Sequence, residues 1–172
     1  MTALPEHDGP VRFGALPAAR AEVLYRALTR ACDAGASAVL AREGPPDRVL
    51  QDADVIVSLP WPVTNDSQAS ALAAMAARKP VIVLETTSTA EWPALDPQTW
   101  QPREFGKDAP IVVSLDPRDE EHSLVLAIRR LSHDAALRTR LADAAYAWAT
   151  KHTKTVSHQG TKKHPLHEAH KG

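Results

Sequence analysis

Two short runs carry most of the side chains able to bind or react. The first is Trp61-Pro62-Val63-Thr64-Asn65-Asp66-Ser67-Gln68, where an amide, a carboxylate, a hydroxyl and a second amide stand just ahead of a helix-forming stretch. A helix start presents unpaired N–H groups and a partial positive charge, so Asn65, Asp66, Ser67 and Gln68 are placed to hold a phosphate or sugar hydroxyls. The same residue types cap helices routinely, so Asp66 or Ser67 can equally be a cap, and there is no glycine-rich phosphate loop to decide the matter. The second run, Glu85-Thr86-Thr87-Ser88-Thr89, offers a carboxylate and hydroxyls that both donate and accept. That set suits a ribose or another hydroxylated ligand, and it suits equally a solvated turn held by hydroxyl-to-backbone bonds. Trp61, Trp92 and Trp100 fall in the same regions and could cover a sugar or shield the end of a sheet.

Other catalytic patterns are missing. The chain has no Gly-x-Ser-x-Gly elbow, Walker loop, Gly-x-Gly-x-x-Gly or His-Glu-x-x-His, and no residue stands out as a general base. His164, His167 and His170 have the spacing of one helical face, but in a lysine-rich setting with only Glu168 as a nearby carboxylate. Adventitious metal affinity is expected there, and no metal site is assigned. Cys32 lies among Leu28, Ala31 and Ala34 on a helical stretch and reads as a packing residue, not a nucleophile.

The composition narrows the class. A chain of 172 residues with 44% apolar side chains fits one globular domain. A net charge of -1 provides no basic field for nucleic acid. One cysteine forms no internal disulfide and suits a reducing cytoplasm. No stretch approaches the roughly 18 apolar residues of a membrane span, and residues 2–10 lack the apolar core of a secretory signal. A soluble cytoplasmic domain is expected, compatible with peripheral membrane association.

The elements that must position the two polar runs follow from periodicity. Val11, Phe13 and Ala15 alternate as a first strand, and Leu24, Ala27, Leu28 and Ala31 recur at helical spacing before Gly35. Residues 36–41 predict a second strand, Gly44-Pro45-Pro46 a turn, 47–51 one helical turn and 54–59 a third strand. A helix over 67–78, a strand over 81–85 and a strand over 109–115 complete the alternation, with 86–107 expected as a long loop carrying a helical turn. Leu124, Ala127, Ile128 and Leu131 mark a helix after Asp116-Pro117, and Asp134 can cap a last one with Leu137, Leu141, Ala144, Ala145 and Trp148 on its apolar face. The expected fold is α/β: a doubly wound, mostly parallel Rossmann-like sheet of about five strands with helices on both faces. Ligands of such sheets sit beyond the carboxyl ends of the strands, where both polar runs fall. Residues 1–10 read as a loose leader, 11–150 as the domain and 151–172 as a tail holding five of the eight histidines.

From about Val11 to Trp148 the chain resembles the C-terminal, nucleotide-sugar-binding domain of GT-B fold glycosyltransferases of the group 1, family 4-like type. The resemblance rests on Ala53-Asp54-Val55-Ile56-Val57, the loop and helix ending Ala74-Met75-Ala76, and Pro80-Val81-Ile82-Val83. Glu91-Trp92-Pro93, residues 111–116 with 123–132, and the helix from Asp134 match the family's later elements. It implies a hexosyltransferase-like transferase that takes a nucleotide sugar as donor substrate, with no cofactor and no metal, because helix dipoles and basic side chains do that work. Donor contacts would come from Asn65, Asp66, Ser67 and Gln68, with Thr86 and Thr87 nearby and Arg20 toward the phosphates. The family's pair of glutamates maps onto Asn65 and Ala73, leaving Asp66 as the nearby acid, and its basic pair maps onto Ala15 and Arg20. The family also sets its acceptor on an N-terminal domain that a chain this long has no room for, so an acceptor domain or partner chain is implied for turnover. The alternative is a non-catalytic nucleotide-sugar-binding or assembly module with a decayed site. A flavodoxin-like or receiver-like domain is a third reading, opposed by Asp52 and Asp54 standing before their strand instead of after it.

Overall fold

The computed structural model describes residues 9–17, 20–60, 68–103 and 108–151. Strands and helices alternate along them: β1 (Val11–Leu16), α1 (Ala21–Asp33), β2 (Ala38–Leu40), α2 (Pro46–Asp52), β3 (Val55–Ser58), α3 (Ala69–Ala76), β4 (Val81–Leu84), β5 (Ala94–Leu95), β6 (Val112–Leu115) and α4 (Glu120–His133). A last helix, α5, runs from residue 135 to residue 151, where the described residues end. The strand order is β2-β1-β3-β4-β6-β5 in one six-stranded sheet, and every pairing is parallel. The doubly wound α/β architecture expected from the alternation is therefore present, with one more strand than expected. The addition is β5, inside the stretch 86–107 read as loop. Ala94 and Leu95 pair with Val112 and Val113, and two residues are too few to carry a detectable period.

Period two divides the sheet's side chains between two cores. Val11, Phe13 and Ala15 of β1, Val55 and Val57 of β3, Ile82 and Leu84 of β4, and Val113 and Leu115 of β6 pack with α1 and α4. Leu16, Ile56, Val81, Val83 and Val112 turn the other way, against Val49 of α2, Ala71, Ala74 and Met75 of α3, and Ala145 and Ala149 of α5. Every residue of β3 and β4 is buried, so both faces require a helical layer. Each fully buried Ile or Val contributes about 2 kcal/mol of transfer free energy.

Helix α1 ends where Gly35 takes a φ of 102°, a conformation glycine adopts without a Cβ penalty. Cys32 corrects the packing role expected of it. It follows the buried Ala31 by one residue, about 100° around the helix, and is exposed, its thiol donating to the Ala38 carbonyl at 3.2 Å. At the other end, Asp134 does cap α5: its Oδ1 accepts the Leu137 N–H at 2.9 Å, and its Oδ2 accepts from Arg130 Nε at 3.0 Å. Partial burial pushes its pKa up, but the Leu137 N–H, the Arg130 hydrogen bond and the charges of Arg130 and Arg140 outweigh that and hold it below the ordinary carboxylate value.

Two stability outcomes follow from these contacts. A Cβ on Gly14 of β1 would lie 2.7 Å from Val49 Cγ1 and 3.0 Å from Ala53 Cβ, so Gly14→Ala should destabilise by about 1–3 kcal/mol in urea denaturation. Adding Val49→Ala should recover part of that loss. Asp134→Ala should cost about 1 kcal/mol at neutral pH. Because the folded pKa is depressed, the carboxylate's contribution is complete above the unfolded value of about 3.9 and vanishes as pH falls through the folded value, so wild type and variant should converge in acid.

Candidate functional site

Parallel pairing brings the carboxyl ends of β1, β3, β4 and β6 to one edge of the sheet. Strand order reverses at β1, which lies between β2 and β3, so the topological switch point falls between the ends of β1 and β3. Helices α1 and α3 both begin at this edge. Arg20 immediately precedes α1, Gln68 holds the N-cap position of α3 without a side-chain cap bond, and Thr86 and Thr87 follow β4. These four expected residues thus share one rim, contributed by three different strands. Asn65, Asp66 and Ser67, with Trp61, lie outside the described residues. The junction from β3 to α3 is tied by a hydrogen bond between the Ser58 and Ser70 hydroxyls at 2.7 Å, which satisfies a serine that is otherwise buried among apolar residues.

The groups are engaged in ways that decide their chemistry. Arg20 Nη2 donates to Glu120 Oε2 at the start of α4, with both side chains largely buried, so its charge is neutralised. In the hydroxyl run, Thr86 N donates to Thr89 Oγ1 at 3.0 Å, Ser88 N to Thr86 Oγ1 at 3.2 Å, and Thr89 Oγ1 to the Leu84 carbonyl at 3.3 Å. Of the two roles open to this run, the turn held by hydroxyl-to-backbone bonds accounts for Thr86, Ser88 and Thr89, while Thr87 is exposed. The tryptophans that are described shield the core. Trp92 is buried and meets the Trp148 ring at 5.2 Å and 56°, and Trp100 packs on the core with the Arg130 guanidinium 5.0 Å from its ring centroid.

Arg103 is the residue sequence reasoning missed. Its side chain is 15% exposed; Nη1 donates to Glu85 Oε1 at 2.7 Å, and Nη2 donates to the carbonyls of Trp92 at 3.0 Å and Thr89 at 3.3 Å. One guanidinium therefore gathers three points of the loop between β4 and β5, and the Arg103 backbone N–H ties it to β5 by donating to the Ala94 carbonyl at 2.8 Å. The only signal was an arginine in a proline-rich stretch without apolar period, which any surface arginine shares. Beyond β6, Arg118 donates to Asp116 from Nε at 3.1 Å and from Nη2 at 3.0 Å. That side-chain pair, then the Arg118 backbone N–H, hold the Asp116 carboxyl below its ordinary value.

No group of three or more His, Cys, Asp or Glu able to hold a metal occurs among the described residues, and the His164, His167, His170 triplet lies outside them. No helix among the described residues is long and apolar enough to cross a membrane. No protein-family model matches this sequence, and no curated protein or solved structure matches it. The rim can accept and donate hydrogen bonds through Gln68, Thr87 and the helix starts, but its cations at Arg20, Arg103 and Arg118 are each balanced by a carboxylate.

Arg103→Ala should cost about 2–3 kcal/mol in urea denaturation, since it removes a charged pair and leaves two carbonyls without their donor. Hydrogen exchange should accelerate most between residues 85 and 95. Arg103→Lys should recover less than half of the loss, because an ammonium cannot span three acceptors as a planar fork does.

Proposed function

We propose that this domain binds a nucleotide sugar at the carboxyl edge of its sheet, in the manner of the donor-binding half of a GT-B glycosyltransferase. The observation that carries the reading is the strand reversal at β1. The starts of α1 and α3, with Arg20 and Gln68, follow the two neighbouring strands at this reversal. Unpaired N–H groups at the two helix starts favour a diphosphate, and Gln68, Asn65, Asp66 and Ser67 supply partners for sugar and ribose hydroxyls. Transfer to an acceptor hydroxyl would be the family's chemistry, with the acceptor held by a further domain or partner chain. The exposed lone thiol of Cys32 favours a reducing compartment, in keeping with a cytoplasmic setting.

A second reading, binding without turnover, is favoured by one specific contact. A departing nucleoside diphosphate carries at least two negative charges, and the cation placed nearest to it, Arg20, is already paired with Glu120. Neutralised in this way, Arg20 stabilises a developing charge less than a free guanidinium would.

Calorimetric titration with a panel of nucleotide sugars tests the reading. Binding is expected in the range of about 0.1–1 mM, weakened about fivefold by Asp66→Ala and strengthened by Glu120→Gln, which frees Arg20. Flat heats across the panel would refute it. Radiolabelled sugar transfer in the presence of an acceptor-bearing partner separates the two readings: turnover supports transferase chemistry, and binding without turnover supports the second.

A further inference from the structure

A cavity of about 300 Å³ lies beside β5, the outermost strand, on the far side of the sheet from the switch point between β1 and β3. The buried Leu95, Leu137 and Leu141 and the half-buried Trp100, Pro110 and Ala144 line it, together with the exposed Arg130 and Arg140. On α5, Leu137, Leu141 and Ala144 stand at i, i+4 and i+7 and form one stripe, which Arg140 flanks about 60° around the helix. The apolar surface and the Arg140 charge are therefore presented to the same side. Trp100 has a φ of 59°, a left-handed conformation uncommon for a bulky residue. Its N–H donates to the Asp96 carbonyl at 2.6 Å, and its ring centroid lies 5.0 Å from the Arg130 guanidinium. Strain of this kind persists where surrounding contacts over-determine it, and it is concentrated at ligand clamps.

The charges set the class of ligand. No Asp or Glu is among the described residues that line the cavity. Arg130 donates through Nε to Asp134 Oδ2 at 3.0 Å, and its Nη groups make no hydrogen bond among the described residues. Arg140 makes neither a hydrogen bond nor an ion pair among them. Its charge acts on Asp134 from a distance, while the Asp134 carboxylate itself is engaged by Arg130 and the Leu137 N–H. Two guanidinium groups thus stand against one carboxylate, leaving a positive charge unbalanced beside an apolar hollow. Its complement is a single negative charge on an apolar body, and a guanidinium fork matches the two oxygens of a carboxylate. The volume lies at the lower bound of small-molecule sites, room for one ring or one branched chain. We propose that this cavity binds a small monocarboxylate with an aromatic or branched aliphatic body, the carboxylate on Arg140 and the Nη groups of Arg130, the body against Trp100 over Leu137 and Leu141. The inference does not rest on the nucleotide-sugar reading, whose residues lie after β1, β3 and β4.

Backbone amide NMR of the full chain is the test, with phenylacetate and 4-methylpentanoate titrated in one arm. Phenylacetamide, which keeps the ring without the charge, acetate, which keeps the charge without the body, and uridine diphosphate are titrated in others. Saturable shifts are expected with at least one of the two acids at millimolar concentration, on the amides of Leu95, Arg140, Leu141 and Ala144 and on the Trp100 indole. Phenylacetamide, acetate and the nucleotide should leave these signals in place. Arg140→Gln changes an exposed side chain, so the fold should persist in the same spectra, and the half-saturation concentration should rise about fivefold. Arg140→Lys keeps the charge and should recover part of that loss. No response to either acid, an equal response to phenylacetamide or to acetate, the same signals moving with the nucleotide, or unchanged affinity in Arg140→Gln would each overturn the proposal.

Discussion

Val55–Ser58 and Val81–Leu84 are buried along their whole length, so the centre of the sheet cannot present either face to water. A strand of that kind needs apolar cover on both sides, which an antiparallel meander does not supply and parallel crossovers do. From this one requirement come the helices α1 and α4 on one face and α2, α3 and α5 on the other. It also confines polar chemistry to the edges. Side chains that bind or react have nowhere to stand except where strands hand over to helices, and parallel running brings four of those handovers, after β1, β3, β4 and β6, to one rim. On the α1–α4 face the cover is held by charge as well: Glu121 accepts from Arg30 at 2.8 Å and Arg26 at 3.2 Å. Those two guanidinium hydrogen bonds, Arg30's first, keep its carboxyl below the ordinary value.

Much of this was legible because the signals were long and redundant. The odd residues of β1, the heptad-like spacing of Leu24, Ala27, Leu28 and Ala31, and the Asp134 cap three residues before Leu137 each repeat a rule often enough to be read without neighbours. What escaped was decided by tertiary contact. β5 is ordered by the exposed edge of β6, which no local pattern around Ala94 announces. Cys32 was placed on the correct helix but on the wrong side of its stripe, since one residue of offset is about 100° of rotation. For the candidate site, the rim and the helix starts were readable. The partner of Arg20 was not, because Glu120 lies 100 residues away in sequence.

Serines within apolar strands illustrate how a shared local signature divides once neighbours are known. Ser58 in Val-Ile-Val-Ser-Leu and Ser114 in Val-Val-Ser-Leu occupy equivalent positions, the last polar residue before a strand leaves the sheet. Ser58 meets Ser70 across the turn into α3 and is satisfied there. Ser114 lies between Val113 and Leu115, which pack toward α1 and α4, so it turns to the face opposite the unpartnered Ser123 of α4. The first serine is explained by structure alone. The second has no hydrogen-bond partner among the described residues.

Charge along the rim leads to the same division of labour. Arg20 with Glu120, Arg103 with Glu85 and Arg118 with Asp116 place guanidinium groups at three handovers, and each is balanced locally. The first and second of these pairs are largely screened from solvent on the arginine side, so their attraction is stronger than that of surface pairs and breaking one strands a partly buried charge. A surface organised like this gives up long-range attraction for anions and keeps short-range directional hydrogen bonding. Phosphate capture at such a rim must then depend on the helix starts, whose field extends over about one turn, while hydroxylated groups can be held by dipoles that need no net charge. Stabilising a leaving diphosphate demands the field that the pairing has cancelled; holding a sugar does not. Any group transfer at this rim would have to draw its electrostatic help from a residue that the three pairs have not already neutralised.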